Sequence, residues 1–177
     1  MDETKVYENF PVRIVILCNL LPVLIYASGA YVLAGFGIWV SSLYLLYCLW
    51  IEFRVLKGSC VNCYYYGKIC GSGKGKLCAL LFKPGDSHKF AEMEVSWAEI
   101  LPDFMVVIFP LVGGIALLVM NFNWLLVTAL ASLVVVYFVG NAAIRGSFMC
   151  KYCRQKEIGC PAEKLFRQAA VQDKSRG

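Results

Sequence analysis

The chain has 177 residues, of which 59% are hydrophobic and 16% charged, with a mean hydropathy of +0.64. Soluble domains carry about 25% charged residues, so this composition excludes an ordinary water-soluble domain and places the chain in a bilayer. Seventeen Lys and Arg against twelve Asp and Glu give a net charge of +5, which in so apolar a chain reports topology, and nucleic acid is not an expected partner.

The acidic start Met1-Asp2-Glu3, with no small-residue cleavage site ahead of a polar region, argues against a cleaved signal peptide. No charged residue occurs from Ile14 to Ile51, and none from Phe104 to Ile144. Each run is about twice the roughly 20 residues that one helical span needs. The expected fold is therefore an all-α integral membrane protein of four transmembrane helices, near residues 12–29, 33–53, 102–120 and 124–144. Turn chemistry places the first reversal at Ala27-Ser28-Gly29-Ala30, with Gly35 and Gly37 nearby, and the second at Asn121-Phe122-Asn123. Pro22 and Pro110 are expected to kink the first and third spans. Cys18 and Cys48, inside spans, read as small apolar packing residues, or more sharply as thiols that relay a soft metal ion.

Lys and Arg beside a span resist translocation. With these four spans, all seventeen basic residues fall on one side, and neither hairpin turn carries a charge. Both termini and the loops between hairpins are therefore expected in the cytoplasm of a multi-pass cell-membrane protein.

Cys60, Cys63 and Cys70 recur 90 positions on as Cys150, Cys153 and Cys160, while Pro11 and Arg54 recur 91 positions on as Pro102 and Arg145. The simplest reading is one unit written twice, residues 1–90 and 91–177, each a helical hairpin followed by CxxCx6C, packed as parallel repeats. In a reducing cytoplasm these thiols serve metal binding or redox chemistry before structural disulfides. Two CxxC turns can close a four-thiolate shell for zinc or iron, and the preferred set is Cys60, Cys63, Cys150 and Cys153. An alternative partition gives Cys60, Cys63, Cys70 and Cys78 one zinc or iron–sulfur cluster, leaving Cys150, Cys153 and Cys160 with an open position or with His88, the only histidine. Cys160 precedes Pro161, a pairing found at iron–sulfur ligands.

The loop Gly71-Ser72-Gly73-Lys74-Gly75-Lys76 lacks the Gly-Lys-Ser/Thr order of a nucleotide cradle. Lys68, Lys74, Lys76 and Lys83 are expected to meet anionic lipid headgroups. Tyr64, Tyr65 and Tyr66 are expected to anchor the loop at the membrane surface, and Lys89 to Ile100 reads as an amphipathic interfacial helix. Glu52 and Asp103, at the span edges, are expected to pair with Arg54, Arg145 or Arg13. The tail from Glu163 to Gly177 carries no assigned chemistry.

The expected function is a cytoplasmic-face metal or iron–sulfur centre serving electron transfer or anchoring a redox complex, with a redox or scaffold protein as partner. A zinc-stapled interaction protein, a soft-metal transporter and a lipid-modifying enzyme are the alternatives, and no catalytic residue is assigned. Seven loop cysteines exceed the four that one structural zinc requires, which favours iron–sulfur or thiol chemistry.

Overall fold

Hydrocarbon supplies no hydrogen-bond partner, so a spanning backbone satisfies itself as helix. The computed structural model of the chain describes residues 6–92 and 97–161, and among these the only β-type pairing is an isolated bridge between Tyr7 and Cys153. The helices are α1 (Val12–Leu33), α2 (Ile38–Val55), α3 (Lys74–Leu81), α4 (Ser87–Glu92), α5 (Trp97–Met120), α6 (Trp124–Val135) and α7 (Gln155–Ile158). Four stretches are long and apolar enough to cross a membrane: Val12–Phe36, Ile38–Cys60, Glu99–Met120 and Trp124–Tyr152. The second and fourth spans end in wider π-helical turns, over Leu56–Cys60 and Val136–Met149, each leading into the first cysteine of a CxxC motif. The C-terminal tail and Met93 to Ser96, the middle of the expected interfacial helix, lie outside the described residues.

The first reversal comes later than the turn residues at 27–30 suggest. It occupies Ala34–Phe36 and Gly37, where φ is +120°, a backbone conformation that favours glycine. Gly29 instead lies inside α1 and leaves room for the Tyr44 ring of α2, which a Cβ there would strike. The second reversal is where Asn and Phe put it: Asn123 caps α6, its side-chain oxygen accepting from the Leu125 amide at 2.9 Å.

Helices α1 and α5 occupy the middle of the bundle, each packing on both α2 and α6. The core contains Ile25, Leu33, Tyr44, Cys48, Ile51, Val106, Val107 and Leu133. Cys18 and Cys48 are each 2% exposed, in keeping with their reading as packing residues. The outer surface is apolar, with Trp39, Val119 and Trp124 all exposed, as lipid-facing helices require.

Proline explains the best-placed polar contact in this core. Pro110 has no amide proton, so the Val106 carbonyl four residues earlier lacks its helical donor. The Tyr44 hydroxyl donates to that carbonyl at 3.0 Å. Near each end of the same contact surface, Ser41 donates to Ala30 O at 2.9 Å and Tyr47 to Pro102 O at 2.8 Å.

Replacing Tyr44 by Phe orphans the Val106 carbonyl and is expected to destabilise the bundle by about 1–2 kcal/mol. Replacing Gly29 by Ala overpacks the same ring and is expected to cost about 1–3 kcal/mol. Thermal unfolding in detergent measures both; an unchanged melting temperature for Tyr44→Phe would show that the hydrogen bond contributes nothing.

Candidate thiol site at the basic end of the bundle

The two CxxC motifs fold alike. The Cys63 amide donates to Cys60 O at 3.4 Å and the Cys153 amide to Cys150 O at 3.3 Å. The following turn also matches, with Tyr66 N to Cys63 O at 2.9 Å and Lys156 N to Cys153 O at 3.2 Å. In each motif the backbone amide two residues after the second cysteine, Tyr65 for Cys63 and Gln155 for Cys153, favours the thiolate form of that sulfur.

Those same two residues join the motifs reciprocally. The Tyr64 amide donates to the Gln155 side-chain oxygen at 2.7 Å, and the Arg154 amide donates to the Tyr65 hydroxyl oxygen at 3.0 Å. Each contact thus runs from the residue after the second cysteine of one motif to the side chain two residues after the second cysteine of the other. Tyr65 and Gln155 are both 2% exposed. The Tyr65 hydroxyl donates onward to Tyr7 O at 2.6 Å, and Gln155 Nε2 donates to Gly159 O at 2.9 Å. Among described residues these buried polar groups are satisfied, which is the condition for burying them. The N-terminal segment completes the seam: the Tyr7 amide donates to Tyr152 O at 3.1 Å, the Phe10 amide to Ile69 O at 2.9 Å, and Phe10 stacks on Tyr65 at 5.5 Å.

Of the three tyrosines expected to anchor the loop at the membrane surface, Tyr65 is internal and cannot do so, while Tyr64 and Tyr66 are half-buried, Tyr66 donating to Phe82 O at 2.6 Å and Tyr64 accepting from Lys68 at 3.0 Å.

All nine cysteines are free thiols. Cys78 is fully buried, its thiol pointing to Leu56 O at 3.5 Å; Cys60, Cys63, Cys70, Cys153 and Cys160 are half-buried; Cys150 is exposed. Cys60, Cys63, Cys70 and Cys78 lie within one another's electrostatic field, and across the two motifs Cys63, Cys153 and Cys160 do so as well. In this arrangement no three Cys, His, Asp or Glu side chains among the described residues stand close enough to share one metal ion. His88 belongs to α4, and its side chain lies outside the described part.

Burial pushes the Cys63 thiol up, against the amide of Tyr65, which favours the thiolate. Burial pushes Cys153 up to about 11, the Gln155 amide opposing it and the neighbouring thiols reinforcing it. Cys78 is raised by burial and then by Cys70, and Tyr65 is pushed up to about 12 by burial. These sulfurs hold protons at neutral pH.

The loop after Cys70 enters the bundle mouth. Cys70 Sγ accepts from the Gly75 amide and meets Ser72 Oγ, both at 3.3 Å. Asn19 of α1 donates to Ser72 O at 2.9 Å, and Gly73 adopts φ +70°. A side chain at Gly75 would collide with the Tyr65 and Lys68 carbonyls, so only glycine fits there. The loop delivers Lys74 to Glu52 as an ion pair, and the other Glu52 oxygen accepts from Tyr26 at 2.7 Å.

Glu52 thus pairs with a loop lysine and not with arginine. The reason is helical geometry, since residues two apart project to different faces. Arg54 turns to Glu99 O at 2.5 Å and lies over the Trp50 ring, leaving its Nη1 buried without a partner.

Sequence reading missed the bridging role of Tyr65 and Gln155, the contact of Tyr26 with Glu52, and the Lys74–Glu52 pair. The register of 90 does align Tyr65 with Gln155, but nothing in either residue type announces that it bridges to the other motif. No protein-family model matches this chain, and no curated protein or solved structure is significantly similar to it.

Because the Cys153 thiol is raised in the folded protein, the stability from keeping it protonated is present below the ordinary value of 9.0 and is lost as pH rises through about 11. Iodoacetamide labelling of Cys153, followed by mass spectrometry across pH 7–12, is expected to reach half-maximal rate near 11. A midpoint near 9.0 would contradict this burial.

Proposed function

We propose that the protein carries a cysteine-ligated metal or iron–sulfur centre at the cytoplasmic face of the membrane, and serves electron transfer or anchors a redox complex there. One observation carries this reading. The Gly75 amide donates to Cys70 Sγ at 3.3 Å, and in the matching turns the Tyr65 and Gln155 amides favour the thiolate forms of Cys63 and Cys153. Donors of this kind favour thiolate over thiol and tune thiolate-ligated centres.

The four cysteines of the first loop, Cys60, Cys63, Cys70 and Cys78, each lie in the field of the other three, and Cys63 also meets Cys153 and Cys160, so the first loop with Cys63 as its link to the second motif is the ligand set these observations support. Loading rotates these thiols together and displaces their protons. Cys150 leans toward Cys160 and Cys18, which gives it a supporting role.

The reading includes a duplication. Matching CxxC turns, their reciprocal hydrogen bonds and a bundle centred on α1 and α5 support two copies of one unit, residues 1–90 and 91–177. Orientation rests on the basic residues, which put this end in the cytoplasm. Lys76 and Lys83, both exposed, then meet anionic headgroups, while Lys74 and Lys68 are engaged within the protein.

A second reading, soft-metal transport, has one observation in its favour: buried Cys18 lies within the field of Cys70 and Cys150. It predicts loss of metal uptake in Cys18→Ser, with Cys48→Ser unaffected.

The test is metal analysis with an ultraviolet and visible spectrum on protein purified anaerobically in detergent. Iron with a band bleached by dithionite is expected, and Cys63→Ser or Cys153→Ser should lower bound metal at least about tenfold. Colourless stoichiometric zinc would replace electron transfer with a structural staple, and metal-free protein would overturn the proposal.

A further inference from the structure

We propose that α3 is an interfacial helix: its leucine face enters the leaflet at the basic end of the bundle, Lys76 and Lys83 meet anionic headgroups beside it, and its opposite face holds Cys78 at the membrane surface. The proposal needs only the placement of the four spans in a bilayer, and it stands whether or not the thiols hold a metal.

The residues of α3 divide around its axis. At about 100° per residue, Leu77, Leu80 and Leu81 fall on one face, where they are 47%, 83% and 56% exposed. Gly75 and Cys78 fall on the other and are buried, Cys78 at 0% with its thiol on Leu56 O at 3.5 Å. Looseness does not explain the exposed leucines, since the helix is pinned at both ends. The Gly67 amide donates to Gly75 O at 3.0 Å, and the Tyr66 hydroxyl donates to Phe82 O at 2.6 Å.

What covers this face follows from where α3 lies against α2. Lys74, its first residue, reaches Glu52, and Phe82, just past its last, packs its ring on Phe53 at 5.3 Å. A helix of 8 residues is about 12 Å long, so if α3 ran beside α2 its ends would meet residues about two turns apart. They meet neighbours on different faces of α2, so α3 lies across the end of the span. Phe53 is 50% exposed on the apolar outer surface of that span, so Phe82 and the leucines continue a surface that already faces lipid.

Trp50, 51% exposed with Arg54 over its ring at 5.9 Å, marks the same level as the water boundary, where indole rings and the heads of long basic side chains collect. The charges agree with that level. From residue 57 to residue 86 the exposed charged side chains are Lys57, Lys76, Lys83 and Asp86, an excess of cations that suits an anionic leaflet. A soluble partner would reach the leucines only by displacing lipid from Phe53.

The experiment uses the full-length protein in nanodiscs of phosphatidylcholine and phosphatidylglycerol. Irradiation of Leu80→benzoylphenylalanine, read by mass spectrometry, is expected to give phospholipid adducts at a yield within about threefold of the same substitution at Leu46, which is 62% exposed within α2. The adducts should be enriched about twofold in phosphatidylglycerol over the whole disc, and Lys76→Gln with Lys83→Gln should remove the enrichment. A second readout does not depend on the photoprobe. Leu80 is so exposed that Leu80→Glu would be neutral in a helix facing water. In a helix held by lipid it is expected to free α3 and speed N-ethylmaleimide labelling of Cys78 about fivefold, with Leu80→Met unchanged. Four results would overturn the proposal: no lipid adduct at position 80 where position 46 gives one, adducts to a second copy of the chain in their place, enrichment that survives loss of both lysines, or Cys78 labelling in Leu80→Glu at the wild-type rate.

Discussion

A polar group inside hydrocarbon has only the protein to bond with, and the arrangement of these helices follows from how that demand is met at one tyrosine. Pro110 frees the Val106 carbonyl, Tyr44 fills the vacancy at 3.0 Å, and Gly29 is small enough to let the ring pass between helices. The contact ties α1, α2 and α5 at a single point. Since α1 and α5 form the middle of the bundle, it also sets the frame on which α6 packs. The kink-forming proline and the helical glycine, unrelated as residue types, are two halves of one accommodation.

At the basic end the governing requirement changes from filling space to satisfying backbone polar groups in irregular chain. The two CxxC turns do this for each other through Tyr65 and Gln155, whose side chains serve as buried connectors. Their burial has a chemical consequence. It keeps Cys63 and Cys153 protonated, while amides aimed at the same sulfurs favour the charged form. Burial wins while the thiols are unligated, and a cation at the sulfurs would reverse the balance by removing the desolvation penalty.

The loop from Cys70 to Lys74 links this surface to the bundle interior. Cys70 receives the Gly75 amide, Ser72 is held by Asn19, and Lys74 ends on Glu52. A change at the Cys70 sulfur and a change at the Glu52 carboxylate therefore act on the same few residues of backbone. That short connection is a polar path from the Cys70 sulfur to the Glu52 carboxylate among the spans.

Much of this architecture is written in composition and spacing. Two uncharged runs, a charge-free pair of hairpin turns and a cysteine register of 90 dictate a four-span helical protein whose thiols gather at its basic end, because hydrophobic burial depends on composition summed over many residues and tolerates local error. The outcome at single positions was decided by packing. Gly29 has turn chemistry yet stays helical because Tyr44 needs its space, and the chain reverses eight residues later at Gly37. Glu52 takes Lys74 because helical projection turns Arg54 away, and Tyr65 goes inside because Arg154 and Tyr7 supply partners for its hydroxyl. Each of those choices turns on a contact between residues far apart in the chain, and no local pattern encodes which distant group will be within 3 Å.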